Sequence, residues 1–107
     1  MGAFMTVDVI IPVRNGERFI AQCLDSVALQ TSEAKISRII VVNDGSVDST
    51  SQIVENYIRV NSKVELYSTE PNGLSAARNL GIKNASSQNI AFLDSDDIWL
   101  EHKLDLH

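Results

Sequence analysis

Three aspartates near the end of the sequence have a spacing that suits metal or phosphate chemistry. Asp94, Asp96 and Asp97 are separated only by Ser95. Residues i and i+2 of an extended segment face the same way, so Asp94 and Asp96 can converge on one point. Two carboxylates that close repel each other unless a cation stabilises them, and Mg²⁺ takes oxygen ligands while keeping positions for substrate phosphates. The acids alone are equally compatible with a helix that begins at Asp97 and is capped by Ser95 or Asp96.

Asp44 is a second acid placed directly after an apolar run, and Gly45 and Ser46 follow it. Its carboxylate could accept a hydrogen bond from a nucleobase or a ribose. The alternative is a turn in which Gly45 supplies an unusual backbone angle and Asp48 or Ser49 caps the next helix. Taken by itself, the segment favours the turn.

Residues 74–82 form a segment that is rich in small side chains. Ala76, Ala77 and Gly81 would let a helix here pack close to a sheet or to a ligand. Arg78 could donate charged hydrogen bonds to a phosphate, or it could be a solvated helical arginine, and the segment leaves both open. Cys23 is the single cysteine, and we expect it in the core. No dinucleotide fingerprint or Walker A sequence is present.

Short β-branched runs alternate with segments of helical periodicity. The predicted strands are residues 7–11, 38–42, 63–67 and 89–93. Pro12 is expected to end the first strand. The second and fourth strands are continuously apolar, as in strands covered on both faces, whereas the third alternates and is expected nearer an edge.

Three helices are predicted: residues 18–30, a second that opens with a capping box at residues 49–52, and residues 75–85. The positions expected to face the core are Ile20, Leu24, Val27 and Ala28, then Ile53, Val54, Tyr57 and Ile58, then Ala77, Leu80, Gly81 and Ile82. Strands that alternate with helices imply right-handed crossovers. The predicted fold class is α/β, doubly wound, with a mostly parallel sheet.

In a parallel sheet the strand-to-helix loops share one edge, and open α/β sheets bind ligands at that carboxyl edge. The predicted loops are residues 13–17, 43–48, 68–73 and 94–97. Acids collect there, with Arg14 and Arg78 as the only bases near them. This edge is therefore the candidate site.

Length and composition suit a single domain over residues 1–107, with residues 1–5 as a flexible start: 44% of residues are hydrophobic and 21% are charged. A net charge of −5 argues against a nucleic-acid partner, because such binding relies on Lys and Arg at phosphates. One cysteine allows no internal disulfide and fits a reducing compartment. No apolar run approaches the ~20 residues of a membrane span. We therefore expect a cytoplasmic location, peripheral to a membrane only through a longer parent protein.

Four segments together resemble glycosyltransferase family 2, whose members are inverting enzymes of the GT-A fold that use nucleotide-sugar donors. The segments are VIIPVRNG at 9–16, IVVNDGSVDST at 40–50, NGLSAARNLGI at 72–82 and IAFLDSDDIW at 90–99. Their order and spacing match, and they cover nearly the whole chain. The resemblance favours the functional interpretation of Asp44 and Asp96 over turns and caps.

The resemblance also implies roles for individual residues. Those implied in nucleotide binding are Pro12, Val13, Arg14, Asn15, Asp44, Arg78, Asp94 and Ser95, and those implied in metal binding are Asp94 and Asp96. Residues 12–15 would line the base, and Asp44 would hydrogen-bond to it. Asp94 and Asp96 would form the DXD element that touches the ribose and holds Mg²⁺ or Mn²⁺ on the diphosphate. Arg14 stands where family members often carry an aromatic residue.

The implied activity is transfer of a sugar from a nucleotide-diphosphate sugar, for which we expect a UDP-sugar, to an acceptor hydroxyl with help from a divalent cation. The acceptor could be a polysaccharide, a lipid carrier or a protein. Inverting transfer needs a carboxylate base, and the sequence offers none that is not already assigned. We therefore expect this chain to be the donor-binding half, with the catalytic base and the acceptor site beyond residue 107. Apolar surface left uncovered would then lead to self-association.

Two other functions are compatible with this fold class. One is a non-catalytic nucleotide-sugar-binding or regulatory module. The other is a receiver-like phosphoacceptor domain, but such domains carry an acidic pair after the first strand, where this sequence has residues 12–15, PVRN.

Overall fold

The computed structural model describes residues 6–29 and 35–94. Its elements, in chain order, are β1 (Thr6–Val13), α1 (Ile20–Ala28), β2 (Lys35–Asp44), α2 (Thr50–Ile58), β3 (Val64–Thr69), α3 (Leu74–Asn84) and β4 (Asn89–Phe92). No helix in these ranges is long and apolar enough to cross a membrane. The flexible start predicted at residues 1–5 lies outside them.

The strands form one sheet in the order β3-β2-β1-β4, and every pair is parallel. β1 pairs with β2 along its whole length and with β4 from Val7–Asn89 to Ile10–Phe92. β3 lies at an edge, as its alternating sequence predicts. Since all strands point the same way, the loops that follow them meet at one edge of the sheet. The predicted doubly wound α/β fold is confirmed.

Helices cover both faces of the sheet because alternate residues of β1 point to opposite sides. The larger core joins β1 to α1 and α2 and consists of Val7, Val9, Ile11, Val13, Ile20, Cys23, Leu24, Val27, Ile39, Val41, Val54, Val64 and Leu93. The smaller core joins the sheet to α3 and consists of Ile10, Ile40, Val42 and Ala77. Cys23 is buried, as predicted. The carboxyl edge is thus held between two packed layers.

Gly81 lets α3 approach the sheet closely. A Cβ built on Gly81 would collide with Cγ2 of Ile10, a fully buried side chain in the middle of β1. The small residue predicted at this position therefore sets how near α3, and the residues at its beginning, lie to the end of β1.

A polar network closes the opposite edge of the sheet. Asp8 is buried in β1, and its carboxylate accepts hydrogen bonds from the N–H of Ser86 at 2.7 Å and from the N–H and hydroxyl of Ser87 at 3.0 and 2.8 Å. Arg38 lies 3.8 Å from Asp8 and donates two hydrogen bonds of 2.6 Å to Glu65. This network fixes the connection between α3 and β4 against β1.

The prediction that Pro12 ends the first strand was wrong. Pro12 lies inside β1 and is paired with Val42. The C=O of Ile10 accepts a hydrogen bond from Leu93 on the β4 side, so by alternation the ring nitrogen of Pro12 faces the same side, past the end of β4. No ladder hydrogen bond is lost there, which is where a strand tolerates proline. β2 also extends beyond its predicted limits at both ends.

The capping box predicted at residues 49–52 does not form. The Ser49 side chain makes no capping hydrogen bond, and Asp48 instead accepts the N–H of Thr50 at 2.9 Å. The Ser49 N–H donates to Glu17 at 3.0 Å. Glu17, on the loop after β1, therefore accepts the Ser49 N–H that a residue of the capping box would otherwise accept.

Some positions predicted to face the core are exposed. Ala28 faces solvent, and Ile82 is 44% exposed. The fourth strand, predicted to be covered on both faces, lies at the sheet edge with Phe92 45% exposed. Ile82 and Phe92 are exposed because α3 packs over β1 and β2. β4 and the side of α3 that carries Ile82 are left partly open.

Candidate functional site

A pocket of about 240 Å³ opens at the carboxyl edge, between the ends of β1 and β2 and the first turn of α3. It is lined by Pro12, Val13, Arg14, Asp44, Gly73, Leu74 and Ala77. The first four belong to the set that the sequence implied in nucleotide binding. Pockets for whole small ligands measure roughly 300–1,000 Å³, so this volume accommodates part of a ligand, of the size of a nucleobase.

Asp44 ends β2 and is only 5% exposed. Its Oδ1 accepts the N–H of Asn72 at 2.7 Å, and its Oδ2 accepts the N–H of Gly73 at 3.0 Å. Gly73 has φ 97°, in the left-handed region that favours glycine, and α3 begins at the next residue. Asp44 therefore lines the pocket and also holds the turn from which α3 starts. No sequence pattern predicts that Asp44 holds this turn, because its partners Asn72 and Gly73 lie on another loop.

Gly45 adopts φ 70°, as the turn interpretation of this segment predicted. A Cβ on Gly45 would lie 2.6 Å from Cδ of Pro71. The loops after β2 and β3 are therefore in contact directly after Asp44. The turn and the pocket-lining role of Asp44 occur together, although the sequence presented them as alternatives.

Asn15 joins the loop after β1 to the loop after β2. It has φ 53° and is the one non-glycine residue with a positive φ in the described part of the chain. Its N–H donates to Oγ of Ser46 at 2.8 Å, and its Oδ1 accepts the N–H of Val47 at 2.9 Å. The residue before it, Arg14, lines the pocket. Asn15 thus fixes the direction in which the chain leaves the pocket wall.

Further hydrogen bonds complete this junction. Glu17 donates its N–H to Asp48 at 3.2 Å and accepts the N–H of Ser49 at 3.0 Å, while Gly16 donates its N–H to Oγ1 of Thr50 at 3.0 Å. The Thr50 hydroxyl, with the N–H groups of Thr50 and Glu17, holds the pKa of Asp48 below its usual value. The contact between Asp48 and the N–H of Thr50 matches the helix-capping role that the turn interpretation offered for Asp48. Sequence reasoning missed Glu17 and its contact with Asp48.

Arg78, on α3, contacts Asp94, which lies two positions after the end of β4. The Arg78 guanidinium lies 5.8 Å from the centroid of the Phe92 ring, and its Nη2 is 3.6 Å from Oδ1 of Asp94. The side chains of Arg78 and Asp94 are 40% and 55% exposed. The buried Nε of Arg78 has no acceptor among the described residues. The two residues that the sequence implied beside the nucleotide are therefore brought into contact.

The backbone places Asp94 next to the end of β1. The N–H of Leu93 donates to the C=O of Ile10 at 3.0 Å, and Sγ of Cys23 lies 3.9 Å from the C=O of Asp94. Pro12, in the pocket wall, follows two positions after Ile10. Asp94 therefore follows β4 beside the end of β1 that carries the pocket-lining Pro12.

Ser95 and Asp96 lie outside the described residues, so the convergence of Asp94 with Asp96 stays a prediction. Within the described ranges, no three His, Cys, Asp or Glu side chains form a metal-binding group. Asp94 offers an exposed carboxylate at the sheet edge, and Mg²⁺ is usually held by one or two carboxylates, waters and substrate phosphates. The Asp94 carboxylate fits such a site if Asp96 and a diphosphate supply the remaining ligands.

The model of the family named Glycosyl transferase family 2 matches residues 8–106. This chain belongs to glycosyltransferase family 2. The resemblance inferred from four segments is thereby confirmed, and the receiver-like alternative is excluded. Among the curated relatives of this family 2 chain is the glycosyltransferase GlyA of Streptococcus pneumoniae serotype 4. It is 42% identical over 95 residues, which cover 89% of this chain and 13% of GlyA.

Solved structures show the same architecture. Staphylococcus aureus TarS 1–349 in complex with UDP-GlcNAc matches with a TM-score of 0.78 and 34% identity, over 92% of this family 2 chain and 28% of TarS 1–349. The mannosyltransferase PcManGT from Pyrobaculum calidifontis, in complex with GDP-Man and Mn²⁺, matches with a TM-score of 0.80 and 26% identity, over 90% and 29%. The fold is thus that of GT-A glycosyltransferases, and the chain spans less than a third of each of these proteins.

Proposed function

We propose that this chain binds the nucleotide-diphosphate sugar donor of a glycosyl transfer. The observation that carries the proposal is the pocket that Asp44 lines at the carboxyl edge, with the Arg78–Asp94 pair nearby. The complexes of TarS with UDP-GlcNAc and of PcManGT with GDP-Man and Mn²⁺ support the same ligand class.

The pocket would hold the nucleobase, with residues 12–14 as one wall. Each oxygen of Asp44 accepts one backbone N–H, and a carboxylate oxygen can accept two hydrogen bonds. Asp44 can therefore also accept an N–H from a base. We expect a UDP-sugar, the donor class in the TarS complex with UDP-GlcNAc. Asn15, also predicted beside the base, would act at least through the loop junction that it holds.

The sugar diphosphate would extend from the pocket towards Asp94. Asp94 and Asp96 would hold Mg²⁺ or Mn²⁺, with Ser95 between them at the ribose, and Arg78 would donate to the diphosphate. The bound metal ion would neutralise the charge that develops on the departing diphosphate. Of these groups, Asp94 follows β4 and Arg78 lies on α3, and the described sheet holds both elements in place.

Acceptor binding and deprotonation would be supplied by residues outside this chain. In the described site, Asp44 holds the α3 turn, Asp48 holds the loop junction and Asp94 contacts Arg78. This leaves none of the three for a general base, which must reach the acceptor hydroxyl. The chain covers 13% of GlyA and 28% of TarS 1–349, which supports its assignment as the donor-binding half.

Self-association and location belong to the same proposal. Phe92, on the edge strand β4, and Ile82, on α3, expose apolar surface, and open edges and apolar patches favour association. Light scattering at increasing concentration tests this, and a monomer at every concentration would contradict it. A cytoplasmic location stays a prediction, which cell fractionation tests.

Calorimetric titration with UDP and GDP, each with and without Mn²⁺, tests donor binding. Wild type should bind one nucleotide in a metal-dependent way, and Asp96→Ala should lose that metal dependence. Glu55→Gln, on the exposed face of α2, is the matched control for loss of a carboxylate. Absence of binding to either nucleotide would contradict the proposal. Sugar transfer by the isolated chain would contradict the half-enzyme assignment, whereas a longer parent that binds donor without transfer would indicate a binding module.

A further inference from the structure

We propose that Arg78 is the counter-ion of Asp94 in the ligand-free protein and that a metal–nucleotide complex displaces Arg78 from this contact. Metal and nucleotide then bind together, rather than the metal first. The inference rests on the proposed function, since it assigns Asp94 to a divalent cation. It adds an order of binding and a residue that sets this order.

The resting contact is weak by its geometry. The 3.6 Å between Nη2 of Arg78 and Oδ1 of Asp94 exceeds the ~2.7–2.9 Å of a charge-assisted hydrogen bond. Both side chains are partly exposed, and ion pairs of that kind contribute little. The buried Nε–H of Arg78 also has no acceptor in the described part of the chain, which leaves a donor unsatisfied. The guanidinium therefore loses little when it leaves this position.

The charge of Arg78 nevertheless opposes a metal ion that arrives alone. A divalent cation at Asp94 would lie within a few ångströms of a guanidinium that carries a full positive charge. A nucleoside diphosphate brings negative charge that outweighs this repulsion. Its oxygens also give the planar guanidinium the paired acceptors that a single carboxylate oxygen at 3.6 Å does not supply.

Phe92 keeps Arg78 in place while Arg78 changes partners. The guanidinium of Arg78 lies 5.8 Å from the centroid of the Phe92 ring, within the range of a favourable cation–π interaction. Phe92 directly precedes Leu93. Arg78 can therefore rotate from Asp94 towards a diphosphate while it remains over the same ring. Lys83, in the last turn of α3, offers a positive charge on the same helix that forms no ion pair with Asp94 in the described structure, and so provides a control.

The experiment measures Mn²⁺ binding to the chain by electron paramagnetic resonance, first without nucleotide and then with UDP or GDP. Arg78→Gln should bind Mn²⁺ alone about three- to tenfold more tightly than wild type, because one nearby positive charge is removed. It should bind nucleotide with Mn²⁺ more weakly by a similar factor. Lys83→Gln should change both affinities less than twofold.

Arg78→Lys separates charge from shape and guards against a folding defect in Arg78→Gln, with circular dichroism as the check on both. The lysine variant should keep the weak binding of Mn²⁺ alone and still lose affinity for the nucleotide. Unchanged or weaker binding of Mn²⁺ alone by Arg78→Gln would overturn the inference while leaving donor binding intact. If wild type binds no nucleotide under any condition, it is the proposed function that fails, and the displacement step fails with it.

Discussion

Asp44 and Gly73 are 29 positions apart in the sequence, yet Oδ2 of Asp44 accepts the N–H of Gly73 at 3.0 Å. The same carboxylate lines the pocket, and Gly73 directly precedes the helix that carries Arg78. A ligand that forms a hydrogen bond with Asp44 therefore contacts the same carboxylate that fixes the start of α3. The pocket and the start of the helix that carries Arg78 are therefore connected through one side chain.

Asp44→Ala should therefore affect both folding and binding. It removes the charged acceptor of two backbone N–H groups, those of Asn72 and Gly73, so the free energy of unfolding should fall by about 1–3 kcal/mol. Asp44→Asn keeps one acceptor oxygen and should lose less. Urea denaturation measures stability, and calorimetry measures affinity for the nucleotide that wild type binds, which Asp44→Ala should weaken at least about tenfold, as a charged hydrogen bond to the base is lost.

Asn72→Ala is the control, because the N–H that Asp44 accepts belongs to the backbone and survives the substitution. Its stability should remain close to that of wild type. Asp44→Ala with wild-type stability would show that the turn before α3 does not depend on the carboxylate.

The parts of the molecule that the sequence predicted are those with local causes. Alternating and continuous apolar runs predicted where the strands lie, because periodicity shows which residues are buried. The alternation of strands with helices predicted a parallel sheet. Ile82 is a position where periodicity alone fails. It belongs to the apolar stripe of α3, but α3 packs over β1 and β2, where Gly81 contacts Ile10. Ile82 therefore stays exposed.

The site shows the same limit. Its residues could be predicted from motifs, but their mutual hydrogen bonds could not. The capping box at Ser49 fails because Glu17, 32 positions away, accepts the N–H of Ser49. The contact between Asn15 and Val47 spans the same separation. No short-range sequence pattern encodes such pairs, since they exist only once β1 and β2 are aligned side by side.

Asn15 gives a prediction that separates positioning from direct contact. Asp tolerates the left-handed region and keeps an acceptor for Val47, Gly keeps only the backbone conformation, and Ala keeps neither. If Asn15 acts through the loop junction, affinity for nucleotide should decrease in the order wild type, Asn15→Asp, Asn15→Gly, Asn15→Ala. Asn15→Asp should stay within about twofold of wild type, because its acceptor is retained.

Direct contact gives a different order. If the side-chain amide of Asn15 donates to the nucleotide, Asn15→Asp should lose affinity as strongly as Asn15→Ala, because a carboxylate has no N–H to donate. Calorimetric titration of the three variants distinguishes the two roles. Wild-type affinity in all three would exclude both.

Gly81→Ala should destabilise the domain although alanine is the better helix former. Helix propensity favours Ala by about 1 kcal/mol, but the new Cβ collides with Cγ2 of Ile10, and overpacking of a dense core costs about 1–3 kcal/mol. Chemical denaturation measures the net loss. Asn79→Ala, on the exposed side of α3, is the control and should change stability by less than about 0.5 kcal/mol.

The double variant Ile10→Ala with Gly81→Ala tests the cause. Because Ile10→Ala removes the methyl group that the new Cβ would meet, the double variant should lose less stability than the sum of the two single losses. Additive losses would place the cost of Gly81→Ala elsewhere.

Asp8 predicts how stability depends on pH. Burial raises the pKa of Asp8, but the hydrogen bonds from Ser86 and Ser87 and the charge of Arg38 outweigh it, so the pKa in the folded protein lies below its usual value. A lowered folded pKa means that the carboxylate stabilises the fold above the unfolded-state pKa of about 3.9. This contribution is lost as the pH falls from there through the folded pKa.

Asp8→Asn should therefore be less stable than wild type by about 1–3 kcal/mol at pH 7, and the difference should narrow as the pH falls from about 4 to 2. Thermal or urea unfolding across this range measures the difference. Ser87→Ala removes one donor to Asp8 and should show a smaller version of the same trend. Glu65, whose pKa the Arg38 hydrogen bonds hold low, titrates in the same acid range, so only the difference between Asp8→Asn and wild type isolates Asp8. A difference that stays constant from pH 7 to pH 2 would show that the charge of Asp8 does not stabilise the junction between β1 and the α3–β4 connection.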